Sequence, residues 1–227
     1  MTLKLPPHFF RYLGLVLLFF FLGIGVIVLQ GMAAYPGLVP LNATELQARY
    51  SYHVAYVIPF MDSVFLRLVF LNGGVALFVV VVPQFWAWVW WFRRDILEPL
   101  LVIMKGTVIL LMLALGHNSF LRLYISYKTL PPGIFATMYL PHGIPEILAF
   151  VAAGIFSFFC IDSLGDFLRR NADNPGLHPG DIGLFIFNRI WRGVLIILAV
   201  LVIAAFIESR VTPLMVKMAY EAALSAG

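Results

Sequence analysis

Five stretches of this chain stay apolar for the length a helix needs to cross a bilayer, and that constrains its fold more than any other feature. The hydrocarbon core is roughly 30 Å thick, so a crossing helix takes about 20 mostly apolar residues. The stretches are residues 12–30, 66–90, 97–115, 144–160 and 193–206, with ends defined to within a turn or two. Lipid offers the backbone no hydrogen bonds, so a span must satisfy its own donors and acceptors, as a helix does. The expected fold is all-α: a polytopic transmembrane helix bundle of about five spans plus an interfacial segment. It is read as a single transmembrane domain over residues 1–227.

Composition agrees. Of the 227 residues, 62% are hydrophobic and 11% charged, against about 45–50% and about 25% in soluble domains. The net charge of +4 implies no nucleic acid, because Lys and Arg in such a chain set orientation. The one cysteine, Cys160, lies in an apolar run and belongs to no CxxC or Cys/His pattern. The first stretch follows Lys4 and Arg11 and admits a signal-peptide reading, with cleavage near Ala33 or Ala34. Its apolar core exceeds the roughly 7–15 residues of such signals, so an uncleaved anchor is expected.

Three connections are read as loops: residues 31–62, 116–143 and 161–192. Residues 53–65 are apolar enough for an amphipathic interfacial segment. Asn42-Ala43-Thr44 matches a glycosylation acceptor, a motif common by chance. No internal repeat stands out. With the N-terminus in the cytoplasm, Lys4, Arg11, Arg93, Arg94, Arg169, Arg170, Arg189 and Arg192 fall on the inner side. Arg49, Arg67, Arg122, Lys128, Arg210 and Lys217 fall on the outer side, which leaves a small inward bias. Trp86, Trp88, Trp90 and Trp91 precede Arg93-Arg94 as an aromatic belt precedes a cytoplasmic boundary. The C-terminus is then expected outside, and the protein in the cell membrane.

Ionisable groups at membrane depth need a partner or a purpose. Lys105 lies near the middle of the third stretch, beside Gly106, where another helix could approach closely. An ion pair or a substrate contact inside the bundle, and a structural lysine that snorkels or bonds to carbonyls, are open readings, with Asn72 one candidate partner. The fourth span is expected to open at Pro145, with Glu146 in its first turn near the positive end of the helix dipole. His142 stands four residues before Glu146, but Gly143 and Pro145 are expected to break the helix between them. A loop hydrogen bond is then favoured over a metal site for His142. Glu208 ends the fifth stretch at the level of Glu146, with Asn72 not far below. Asn72, Lys105, His142, Glu146 and Glu208 are therefore the expected buried polar cluster. Two carboxylates at one level can also serve acid/base catalysis. No nucleophile, metal-ligand set or glycine-rich phosphate loop accompanies them, so no catalytic residue, metal or cofactor is expected.

The same residues carry a likeness to a known family. Leu140-Pro141-His142-Gly143-Ile144-Pro145-Glu146 resembles the Leu-Pro-His-Gly-Ile-x-Glu opening of a late span in the stage II sporulation protein M family. Ala204-Ala205-Phe206-Ile207-Glu208, with Val211-Thr212-Pro213-Leu214-Met215, resembles that family's closing signature. Met104-Lys105-Gly106 and Phe70-Leu71-Asn72 resemble two further motifs, although Gly73 replaces a second Asn. The resemblance runs from about Val64 onward. It implies a five-to-six-helix, non-catalytic membrane component. Its namesakes look like scaffolds working with cell-wall-degrading partners, stage II sporulation proteins D and P.

Two functions compete. One is a membrane scaffold docking other membrane or envelope proteins, supported by the mixed-charge loop over 161–192. The other is a permease-like transport subunit, supported by the intramembrane charges. An intramembrane enzyme ranks last. The expected partners are the lipid bilayer and envelope proteins, with self-association into a homo-oligomer left open.

Overall fold

The computed structural model describes residues 8–225, and within them every side chain except those of residue 62 and residues 117–122. Lys4 and the side chain of Arg122, both counted in the charge balance, lie outside that description. Eight α-helices follow one another: α1 (Phe9–Ala34), α2 (Ala43–Tyr52), α3 (Met61–Val81), α4 (Ala87–Phe92), α5 (Leu97–Thr129), α6 (Pro132–Arg170), α7 (Pro179–Phe206) and α8 (Thr212–Ser225). No strand occurs among the described residues. The stretches Phe9–Ala34, Ser63–Phe92, Arg94–Gly116, Pro132–Arg170 and Pro179–Ser225 are each long and apolar enough to cross a membrane. The chain is all-α, a polytopic transmembrane helix bundle with five spans among the described residues.

Three expected loops are largely helix instead. Helix α5 runs on to Thr129 and α6 starts at Pro132, so almost nothing of a 116–143 loop remains. Helix α6 continues to Arg170 and α7 starts at Pro179, which shrinks the 161–192 connection to residues 171–178. Hydropathy marks how deep a segment sits in lipid, whereas a helix ends only where its backbone bonding ends. Within 31–62, Asn42 caps α2: its side-chain oxygen accepts from the Glu45 N–H at 2.9 Å, and Glu45 accepts from the Asn42 N–H at 2.9 Å. That reciprocal box satisfies two of the donors a helix start leaves open.

Proline shapes the backbone at two further points. Residues His53–Val57 and Ile207–Val211 are π-helical turns, closed by the Ile58 N–H on the His53 carbonyl and the Thr212 N–H on the Ile207 carbonyl. Pro59 and Pro213 follow each turn two residues on. Neither has an N–H for the carbonyl four residues back, and each ring crowds that carbonyl. The preceding turn widens by one residue in response.

Contacts divide the chain into two compact units: Met1–Gly23 with Val75–Gly116 and Ala149–Leu198, and Ile24–Gly74 with His117–Leu148 and Ala199–Gly227. In the first unit Trp90, Leu100, Met104, Met112, Phe158 and Leu164 are fully buried. Trp90 is therefore interior rather than a belt residue facing headgroups. The Arg94 guanidinium lies over Trp90 and Trp91, 5.5 Å and 5.2 Å from the ring centroids. It also donates to the carbonyls of Ala172 and Asn174 at 3.0 Å and 3.3 Å, anchoring the connection between α6 and α7. In the second unit Leu46, Leu130, Ile134, Val216 and Tyr220 form the apolar core.

Close approaches occur at glycines other than the one the sequence suggested. A Cβ at Gly106 would meet open space. A Cβ at Gly193 would strike the Phe156 ring, and one at Gly154 would come within 2.9 Å of the Met112 sulfur. Gly193→Ala is expected to cost about 1–3 kcal/mol through overpacking. Gly106→Ala is expected to be neutral or to stabilise by about 0.5–1 kcal/mol, the usual gain of Ala over Gly inside a helix. Thermal unfolding in detergent checks both, and equal losses would contradict this packing.

Candidate functional site

Helix α6 carries both Pro141 and Pro145 in its interior, so the expected break between His142 and Glu146 does not occur. Prolines persist in spanning helices where neighbouring groups answer the freed carbonyls. Two consequences follow. Glu146 lies deep inside α6 rather than in a first turn. His142 and Glu146, four residues apart, share one helix face.

That face meets α3, the π turn at Ile207–Val211 and the start of α8 in the second unit. The Asn72 side-chain amide, from α3, donates to Glu146 Oε1. Glu208, from the π turn, places Oε1 3.9 Å from His142 Nε2. The other imidazole nitrogen, Nδ1, lies 3.3 Å from the Thr212 hydroxyl of α8. Ligand-type atoms of His142, Glu146 and Glu208 all fall within 4.8 Å of one another. The imidazole is almost wholly enclosed, with 10% of its side chain exposed, while Glu208 keeps 28%. Beside the cluster is a cavity of about 460 Å³ whose wall includes His53, Met61, His142, Glu208 and Thr212. His53 Nε2 donates to the Pro213 carbonyl at 2.9 Å. Four of the five predicted residues, Asn72, His142, Glu146 and Glu208, are thus brought together.

Lys105 has a different partner. In the first unit its ammonium lies 2.6 Å from Asp162 Oδ1, and the Tyr12 hydroxyl donates to the other oxygen of the same carboxylate. Asn72, one candidate for that role, is engaged with Glu146 instead. Tyr12 stacks on Phe158 with centroids 4.9 Å apart, and Lys105 sits 5.9 Å from the Tyr12 ring centroid. A cavity of about 490 Å³ opens here, with Arg11, Asp166, Arg169 and Arg189 around it. Arg169 is held by Glu98 at 2.9 Å and Asp166 at 3.1 Å.

Sequence reasoning missed Tyr12, Asp162, His53 and Thr212. Asp162 stands two residues past Cys160, where the apolar run ends. Continuing the helical period past Cys160 would have kept Asp162 in the span. Thr212 lay inside the Val-Thr-Pro motif, but nothing in one sequence says which residues face it. Comparison with known protein families, curated proteins and solved structures finds no match for this chain.

The Lys105–Asp162 pair keeps 37% and 32% of its side chains exposed, so its loss falls between that of a surface and a buried pair. Lys105→Met or Asp162→Leu alone is expected to cost about 1–3 kcal/mol, because each leaves an unanswered charge. The double variant should lose less than the sum, by about 1 kcal/mol. Unfolding of all four proteins in detergent measures this; strictly additive losses would show that the pair carries no coupling.

Proposed function

We propose that this chain is a non-catalytic membrane component that docks other membrane or envelope proteins, in the manner implied by its resemblance to the stage II sporulation protein M family. The observation that carries this reading is how its polar residues are used. Asn72 answers Glu146, Asp162 answers both Lys105 and Tyr12, and His53 answers the Pro213 carbonyl. Each contact joins segments far apart in the chain, so each fixes how helices meet. A rigid set of helices suits a docking platform, which gains affinity by being preorganised. The motifs that carry the family resemblance, around His142 and Glu208, also meet at one place.

In this proposal the protein resides in the cell membrane with its N-terminus in the cytoplasm. The Lys/Arg distribution supports this orientation, as does the short connection after Arg169 and Arg170. In a Cys160→Ser background, Asp173→Cys should be labelled from the cytoplasmic side and Lys128→Cys from the opposite side. Both positions are exposed. Labelling of both from one side would refute the orientation.

A permease-like subunit is the second reading, favoured by the cavities of about 490 Å³ and 460 Å³, each bordered by ionisable side chains. Affinity purification from native membranes separates the two. The docking reading expects a reproducible set of envelope proteins; a copurifying ATPase subunit would replace it with transport.

A further inference from the structure

The geometry points to a binding site for a divalent transition-metal ion in the second unit, formed by His142 Nε2 with one oxygen each of Glu146 and Glu208. This inference is independent of the docking reading. Two segments supply the three donors. Helix α6 sets His142 and Glu146 one turn apart on one face, and the π turn presents Glu208. Their donor atoms lie within 4.8 Å of one another. The 3.9 Å between His142 Nε2 and Glu208 Oε1 is too long for a hydrogen bond, which is lost beyond about 3.5 Å. Bonds of about 2.0–2.2 Å to a tetrahedral ion hold two donors roughly 3.4 Å apart, so a side-chain adjustment of about half an ångström brings this pair to an ion.

The imidazole nitrogen that faces Glu208 is available to a ligand. His142 is only 8% exposed overall. Among the described residues its Nδ1 contacts Thr212 and its Nε2 makes no hydrogen bond. Facing Glu208 without a hydrogen bond, that nitrogen is open to a ligand. The carboxylates have a complementary need. Two of them this close in a medium of low dielectric require a proton or a cation between them. A divalent ion answers all three groups together.

The surroundings also resemble the outer shell of a metal site. Thr212 at Nδ1 fixes the ring with Nε2 toward the carboxylates, and the Asn72 amide orients Glu146. One nitrogen and two oxygens favour zinc and its neighbours over magnesium and calcium, which prefer oxygen alone. A tetrahedral ion on three protein donors keeps one position for water. The cavity beside His142 and Glu208 offers the route by which ion and water arrive.

The test uses the full chain purified in detergent, stripped with EDTA and titrated with zinc chloride. Metal content is read by mass spectrometry, affinity by competition with a chromophoric chelator, and Tm by thermal unfolding. Wild type should take up about one zinc ion per chain. Its Tm should fall on stripping and return with zinc. His142→Gln and Glu146→Gln should each weaken zinc binding by more than about 100-fold, and Thr212→Val, which keeps every donor, by about 10-fold. A packing role for Thr212 would move Tm and leave zinc affinity unchanged. Wild type that takes up no zinc at micromolar free ion overturns the site, whatever the variants do. Stoichiometric zinc retained by folded His142→Gln also overturns it.

Discussion

A polar group taken into hydrocarbon must find its partner within the protein, because lipid supplies none. In water the same side chains would lose little by parting, since solvent would take each partner's place. Here separation strands a charge or an amide at high cost, so each contact fixes a helix arrangement. Lys105, Asp162 and Tyr12 bind α5, α6 and α1 in this way. Asn72 and Glu146 bind α3 to α6, and His142 binds α6 to the segment that holds Glu208 and Thr212. Packing alone would be less specific, because helices in lipid gain no hydrophobic driving force from touching each other.

Backbone irregularity places these groups. Glu208 and His53 both sit on π-helical turns, and each turn precedes a proline that cannot complete the regular bonding pattern. A π turn holds one residue more than an α turn, so it changes which face a side chain occupies. His53, on the first turn, donates from Nε2 to the carbonyl of Pro213, the proline that follows the second. One proline helps create the turn that carries Glu208, and its own carbonyl anchors the histidine of the other turn. In α6 the outcome is the opposite: Pro141 and Pro145 stay inside a continuous helix, and continuity sets His142 in line with Glu146.

Resemblance and geometry bear on different questions. The proposed likeness to the stage II sporulation protein M family rests on short motifs alone, and the docking role proposed for the chain rests on it. The geometry concerns what those motifs do to one another. The Leu-Pro-His-Gly-Ile motif and the closing Glu208 segment, separated by some sixty residues of sequence, supply a single group of facing donors. A platform and a metal-stabilised cluster are compatible, since an ion holding α6 to the π turn would stiffen the surface that partners meet.

The sequence by itself determined the all-α class and the number of apolar spans. A run of apolar residues decides those matters one segment at a time. It also named Asn72, His142, Glu146 and Glu208, since any ionisable or amide group at membrane depth attracts attention wherever it stands. Helix ends were not legible, because hydropathy falls before hydrogen bonding does; hence α5 and α6 run far past their apolar cores. Partnership was not legible either. Asp162 is a plain acidic residue in the sequence, two positions beyond an apolar run, and Tyr12 is one aromatic among many. That Lys105 takes Asp162, while Asn72 takes Glu146, depends on how far each helix rotates and which faces meet. Only the packed tertiary structure decides that, because facing is a relation between segments distant along the chain.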